Sequence, residues 1–257
     1  MDQLRIPILE FDPATEAVIE PRQVVRAADV PECCVICFFQ DVITSLLDSG
    51  RLKVIAVQNS EIGQHPVYEI AVEGRRLAVF HPGVGAALAA GLLEEVIALG
   101  CRKFIACGGA GVLDPEIVCG HPIVPIAAVR DEGTSYHYIP PGREVAPSHT
   151  ALAAIERVLD RHNVAYVRGK TWTTDGYYRE TRDKVRRRRE EGCIAVEMEA
   201  SAFFAVAEFR GVELGQILYG GDDLGSLVWD SRMWNKQASV REKLFWLAAE
   251  ACFDLQT

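Results

Sequence analysis

The stretch Lys103-Phe-Ile-Ala-Cys-Gly-Gly-Ala-Gly-Val-Leu113 carries the fold. Lys103–Cys107 reads as a short buried strand, and four small residues, Gly108, Gly109, Ala110 and Gly111, follow it directly. Glycines there allow positive φ and let backbone N–H groups approach an anion or a sugar closely. The same strand-then-glycine pattern recurs twice. Arg76–Phe80 runs into His81-Pro-Gly-Val-Gly85, and Gln216–Tyr219 runs into Gly220-Gly-Asp-Asp223. In open α/β sheets ligands bind beyond the carboxyl ends of strands, so these three turns are expected to converge on one pocket. A glycine turn alone also serves as plain punctuation, and His81 alone also fits a core histidine.

Working outward, apolar β-rich runs alternate with helical segments, the pattern of an α/β sheet. Further strands are expected at Cys34–Phe38, Lys53–Val57, Val67–Val72, Ile123–Val129 and Val167–Thr173. Helices are expected at Ala86–Leu99, Ser148–His162, Thr181–Glu191, Met198–Arg210 and Asn235–Phe253. Gly100 and Gly211 stand where helix C-caps belong. No internal repeat, low-complexity tract or linker divides the chain, which reads as a single α/β domain over residues 1–257.

Composition excludes several classes. The 257 residues, 49% of them apolar, suffice for a substantial core. A net charge of −9 opposes a general nucleic-acid surface, because phosphate backbones need a basic face. The one basic run, Lys184–Arg189, is followed by Glu190 and Glu191 and reads as a solvated helix face. No long uncharged apolar run suggests a membrane span. The start, MDQLRIPILEFDP, lacks the basic end and apolar stretch of a signal peptide, so a cytoplasmic protein is expected. Cys33, Cys34 and Cys37 have no partner pair at zinc-ligand spacing. Buried free thiols in a reducing compartment, with no metal, are the expectation.

Ile194-Ala-Val-Glu-Met-Glu-Ala200 places two acids around Met198 as an apolar segment enters a helix. Acids at a helix start are favoured by the macrodipole, and on that reading Met198 is core. A functional reading is equally open. Acids at i and i+2 diverge, so one can face a pocket, where a carboxylate accepts from two adjacent hydroxyls of a ribose.

Taken together these pieces resemble the nucleoside phosphorylase superfamily. Val196-Glu-Met-Glu-Ala200 resembles a signature of nucleoside phosphorylases and nucleosidases, and FIACGGAGVL resembles their central phosphate and ribose loop. Val129-Arg-Asp-Glu-Gly-Thr-Ser-Tyr-His137 is similar to a segment of uridine phosphorylases through Arg130, Gly133, Ser135 and His137. Asp222, after QILY and two glycines, matches an acid of purine-cleaving members. The likeness runs from about residue 75 to 225 in the family's order.

The resemblance implies a mixed central sheet with a partly closed barrel flanked by helices. It also implies a homo-oligomer: a dimer, a trimer or a hexamer built from dimers. Glu199 would bind the ribose hydroxyls and Met198 would pack on the sugar. Tyr177 and the backbone around Glu197 would sandwich the base, and Arg179 or Arg182 would read it. The glutamine that accompanies that arginine in uridine phosphorylases is absent. Asp222 would protonate or hydrogen-bond the base as it leaves an oxocarbenium-like sugar. No cofactor is implied, only nucleoside and inorganic phosphate as co-substrates, the phosphate lying near Gly108–Gly111.

The departures concern that phosphate. Phosphorolytic relatives hold it with three arginines and a Gly-Asp-Pro-x-x-Arg turn. The corresponding stretch is Phe39-Gln-Asp-Val-Ile-Thr44, Ala106 stands at a second arginine position, and the region near Gly63 lacks the third. A guanidinium fork is the usual phosphate partner. Nucleosidases also lack these arginines and place a water-activating acid close to Asp41. The expectation is a phosphorolytic, uridine-like enzyme. Hydrolysis is the alternative, and a non-catalytic nucleoside-binding protein is the second alternative.

Overall fold

Alternate residues of strand β1 (Cys33–Cys37) enter two different cores. Val35 and Cys37 pack into one, with Val42, Ile155 and Phe245; Cys34 and Ile36 pack into the other, with Leu93, Phe203 and Phe204. A strand buried on both faces reads as a continuous apolar run, which is why CCVIC shows no alternation. The computed structural model describes residues 5–226 and 228–255.

After β1 come β2 (Lys53–Ser60), β3 (Gly63–Val72), β4 (Arg75–Phe80), β5 (Lys103–Val112) and β6 (Pro122–Asp131). The remaining strands are β7 (Glu144–Val145), β8 (Val167–Thr174), β9 (Cys193–Glu197) and β10 (Glu213–Asp223). The helices are α1 (Pro21–Val24), α2 (Gln40–Asp48), α3 (Ala86–Leu99), α4 (His149–Arg161), α5 (Arg182–Glu190), α6 (Ala200–Arg210) and α7 (Ala238–Phe253).

The sheet runs β10-β6-β8-β9-β5-β1-β4-β3-β2, and β10 also pairs with β5. The strands β5, β10, β6, β8 and β9 therefore close into a barrel, while β1, β4, β3 and β2 extend it as an open wing. The sheet is mixed: β1 is parallel to β4 and β5, whereas β9 closes antiparallel on β5 at Gly111↔Val196. Helices α2, α4 and α7 cover one face, and α3 and α6 the other. This is the mixed sheet with a partly closed barrel that the resemblance implies.

Two expected glycine turns are strand instead. β5 continues through Gly108–Gly111, because β10 pairs with it at Leu218↔Gly108, Tyr219↔Gly109 and Gly220↔Ala110. None of these glycines has a positive φ. They are small because of close approach: a Cβ at Gly108 would lie 3.1 Å from Phe38 Cδ2, and one at Gly111 2.6 Å from Leu224 Cδ1. Gly220–Asp223 likewise belongs to β10, whose register shifts there. Only His81–Gly85 is a true turn, with φ of +76° at Gly83 and +94° at Gly85.

Other boundaries differ for local reasons. Helix α6 begins at Ala200, not Met198, because Glu199 occupies its N-cap. α2, β9 and the short α1 and β7 were not expected. The basic run of α5 is only partly solvated. Arg188 is buried, and with Lys184 and the Trp172 indole N–H it converges on Asp131 at 3.0–3.2 Å. Among the described residues no helix is long and apolar enough to cross a membrane. The eight cysteines are unpaired; Cys33 and Cys119 are half-buried and the others buried.

Candidate active site

β1, β5, β9 and β10 present their carboxyl-side ends, with the turn after β4, to one cleft of about 830 Å³. Val84, Gly108–Gly111, Met198, Glu199, Gly221 and Asp222 all line it. The three glycine segments thus share one cavity, although two of them are strand.

Glu197 and Glu199 divide the two roles left open by the sequence. The Glu197 carboxylate accepts from the amides of Glu199 (2.7 Å) and Ala200 (2.5 Å) and from the Thr173 hydroxyl (2.6 Å). It satisfies the first free amides of α6, as an N-terminal acid does. Burial pushes its carboxyl above the usual range against those hydrogen bonds. Glu197 borders the cavity, but these carboxylate contacts are structural. Glu199 also borders the cavity and accepts from the Gly85 amide at 2.5 Å. Burial, then the Glu197 charge, push its carboxyl up to about 8, opposed by the Gly85 and Met198 amides.

Adjacent acids of β10 point to opposite faces, as successive strand residues must. Asp222 borders the cavity and accepts from the Trp229 indole N–H at 2.8 Å. Asp223 turns away to Arg232 (2.8 Å), the Ser226 hydroxyl (2.7 Å) and the Gly225 amide (2.7 Å). Burial works to raise the Asp223 pKa, but the Ser226 hydrogen bonds, Arg232 and the Gly225 amide hold it below the usual range.

The loop after β8 corrects the expectation for the base. Tyr177 lines the cavity, with Tyr178 tilted against it at 4.2 Å between ring centroids. Arg179 and Arg182 are exposed and neither lines it. A single 3₁₀ turn at Tyr177–Arg179 and the N-cap at Thr181 direct both arginines outward. Glu180, between them, borders the cavity instead. Burial and the nearby Asp222 charge push its carboxyl up to about 7, with Lys184 opposing.

At the third side are Phe38, Phe39, Tyr219 and Arg241. Arg241 comes from the first turn of α7. Its Nε donates to the Tyr219 hydroxyl (3.2 Å) and its Nη1 to Asp41 (3.0 Å). Asp41 itself, in the first turn of α2, does not line the cavity and meets it only through Arg241. The Arg130–His137 segment lies outside as well. Arg130 is buried and donates to the Ser135 hydroxyl and to the carbonyls of Pro140 and Ile139.

Glu180, Arg241 and Trp229 are among the cavity residues that motifs do not mark, as are Leu224 and Trp234. Glu180 stood between the two arginines that drew attention. Arg241 lies beyond the stretch that carries the resemblance and has no local sequence signal.

Residues 32–242 match the family described as the Phosphorylase superfamily. The chain is 26% identical over 198 residues to a guanosine phosphorylase of Halorubrum lacusprofundi, covering 77% of this chain and 81% of that protein. It is 28% identical over 153 residues to a uridine phosphorylase of Treponema pallidum, covering 55% of this chain and 59% of that one. The chain thus spans about three fifths of this second relative's length. The crystal structure of a uridine phosphorylase from Vibrio fischeri ES114 superposes with a TM-score of 0.73 at 24% identity, covering 92% and 94% of the two chains. At that identity the likeness establishes the fold.

Proposed function

The chain belongs to the phosphorylase superfamily, and we propose that it cleaves the N-glycosidic bond of a nucleoside by phosphorolysis, releasing a free base and a pentose 1-phosphate. One observation carries this reading. A single cleft joins Glu199 and Met198 on one wall, Asp222 and Glu180 on another, and an arginine, Arg241, on a third.

These positions suit the reaction. A phosphate oxygen forms the new bond to C1′ as the C1′–N bond breaks, and the bonding pair leaves with the base. Asp222 supplies the proton the base needs, and the hydrogen that hydrogen phosphate loses restores it. Glu199 accepts from the ribose hydroxyls and so holds the sugar while charge develops on it. The sequence favours a uridine-like base. Glu180 in place of an inward arginine supports a base that offers a ring N–H, a feature uracil and 6-oxopurines share.

A specific contact favours hydrolysis as the second reading: Asp41 sits on Arg241, so a carboxylate lies at the edge of the third wall. Chromatographic identification of the sugar product, with and without phosphate, separates the two. Pentose 1-phosphate is expected. Free ribose at saturating phosphate would reject phosphorolysis, and saturable binding without base release would reject an enzyme.

A further inference from the structure

We propose that Arg241, carried on the C-terminal helix α7, is the guanidinium that holds the phosphate nucleophile against Gly108 and Gly109. The inference rests on the phosphorolytic reading and identifies a partner for its anion outside the motifs that carry the resemblance, which end near residue 225.

Among the described residues Arg241 is the one lysine or arginine lining the cleft, whose other charged residues are Glu180, Glu197, Glu199 and Asp222. An anion entering such a cavity needs a cation within contact, and Arg241 supplies it. The side chain is held in place. Its guanidinium lies 5.6 Å from the Phe39 ring centroid and 5.8 Å from that of Trp234. The Tyr219 hydroxyl that accepts from Nε donates in turn to the Trp234 carbonyl at 2.8 Å. Aromatic faces and a fixed hydroxyl orient the fork before any ligand arrives.

An arginine has five N–H donors, and Tyr219 and Asp41 engage one each. Among the described residues nothing else engages these donors, which leaves three for a ligand. Placement along β5 agrees. Tyr219 pairs with Gly109, where a Cβ would meet the tyrosine ring at 3.1 Å and its hydroxyl oxygen at 3.2 Å, so the arginine bonded to that hydroxyl stands just beyond the ring that covers this glycine. Asp222 is at Gly111, 3.5 Å from the corresponding Cβ position. Two strand residues span about 6.6 Å, roughly a sugar ring, so the anion and the leaving base fall on opposite sides of it. Asp41 balances the charge of the arginine, and phosphate must displace or share that partner.

The test measures phosphate dependence of base release in the full-length protein and its Arg241→Gln, Arg241→Lys and Asp41→Asn variants. Arg241→Gln is expected to raise the KM for phosphate by about 10- to 150-fold, the range for losing a hydrogen bond to a charged group. The nucleoside KM should change less than about twofold, because uniform binding of the sugar and base is untouched. Arg241→Lys keeps the charge without the fork and should fall between. Asp41→Asn removes the competing carboxylate and should lower the phosphate KM. A rise in melting temperature on adding inorganic phosphate alone should occur in the native protein and vanish in Arg241→Gln. Unchanged phosphate KM in both Arg241 variants, with pentose 1-phosphate still the product, overturns the role of Arg241 and leaves phosphorolysis standing. If Arg241→Gln does not fold, an unchanged phosphate KM in Arg241→Lys overturns it alone. Ribose as the native product defeats the phosphorolytic reading itself. Phosphate-independent preference for a nucleoside 5′-monophosphate would assign the anion to the substrate and overturn the proposal.

Discussion

The Gly85 amide donates to the Glu199 carboxylate at 2.5 Å, tying the turn after β4 to the start of α6 across 114 residues of chain. The contact positions the acid but leaves it buried beside Glu197, which is why its carboxyl rises to about 8. Ribose hydroxyls would donate to the ionised form. Glu199→Gln removes that charge and keeps the shape. Turnover of ribonucleosides should fall by about 1.5–3 kcal/mol in transition-state stabilisation, with a smaller loss on 2′-deoxynucleosides. Equal losses on the two substrate series would remove Glu199 from the ribose.

The same shift fixes a pH dependence of stability. A carboxyl raised from about 4.5 to about 8 on folding binds its proton more tightly in the folded state between those values. Stability contributed by this site is therefore present below the unfolded pKa and lost as pH rises toward 8. Glu199→Gln does not titrate. Its melting temperature should gain on the native protein between pH 5 and pH 8.5, and parallel pH profiles for the two proteins would contradict the assignment.

The two aspartates of β10 should separate cleanly. Asp222 borders the cleft and accepts from the Trp229 indole N–H, whereas Asp223 carries Arg232, Ser226 and Gly225. Asp222→Asn should cut kcat with a small change in melting temperature. Asp223→Asn leaves the partly buried Arg232 without its counter-charge, so about 1–3 kcal/mol of stability should be lost. Turnover and thermal melts on both variants check this, and unimpaired turnover of Asp222→Asn on every accepted nucleoside would exclude it as the acid.

Much of this site was legible as types of residue and little of it as directions. The strand-to-glycine pattern located the cleft, yet β5 and β10 run straight through their glycines because each pairs with the other. Sequence cannot show that pairing. The i, i+2 acids announced divergence, but only the amides of α6 decide that Glu197 is the structural member. Arg179 and Arg182 drew attention as guanidinium groups, and one 3₁₀ turn sends both outward and Glu180 inward. Arg241 was invisible because its relation to Phe39, Tyr219 and Asp41 is wholly tertiary. α2 is masked in the sequence because its nine residues stand where a phosphate turn belongs, and its amphipathic run is short, with only Val42, Ile43 and Leu46 buried.

Glu180 gives a prediction about the base. Its carboxyl, pushed up to about 7, is protonated below that pH and ionised above it. An ionised carboxylate accepts from a ring N–H, such as N3 of uracil or N1 of guanine. Cytosine and adenine present an acceptor nitrogen at that edge, which repels it. Uridine, guanosine and inosine should therefore exceed cytidine and adenosine in kcat/KM, and the ratio of kcat/KM between the two groups, in which the ionisation of Glu199 cancels, should show a limb rising with pH through about 7. Glu180→Gln should flatten that limb and narrow the preference. A variant that retains both the limb and the preference would show that Glu180 does not touch the base.

The last prediction uses the floor of the cleft. Gly111 is extended, so alanine there meets no backbone strain, only space. Its Cβ would lie 2.6 Å from Leu224 Cδ1, 3.1 Å from Val196 Cγ1 and 3.5 Å from Asp222 Oδ1. Leu224 contacts through the end of a flexible side chain and can swing aside. The cost in stability should therefore stay within about 1–3 kcal/mol, the usual range for overpacking. Activity should suffer more, because the residue that moves stands beside Asp222 on the wall facing the base. Leu224→Ala opens the space the new methyl needs, so the double variant Gly111→Ala/Leu224→Ala should be more stable than the two single losses sum to. Thermal melts and turnover of the three proteins measure the coupling. Strict additivity in stability, with turnover of Gly111→Ala near that of the native protein, would show that the closeness of Gly111, Leu224 and Asp222 does not shape the site.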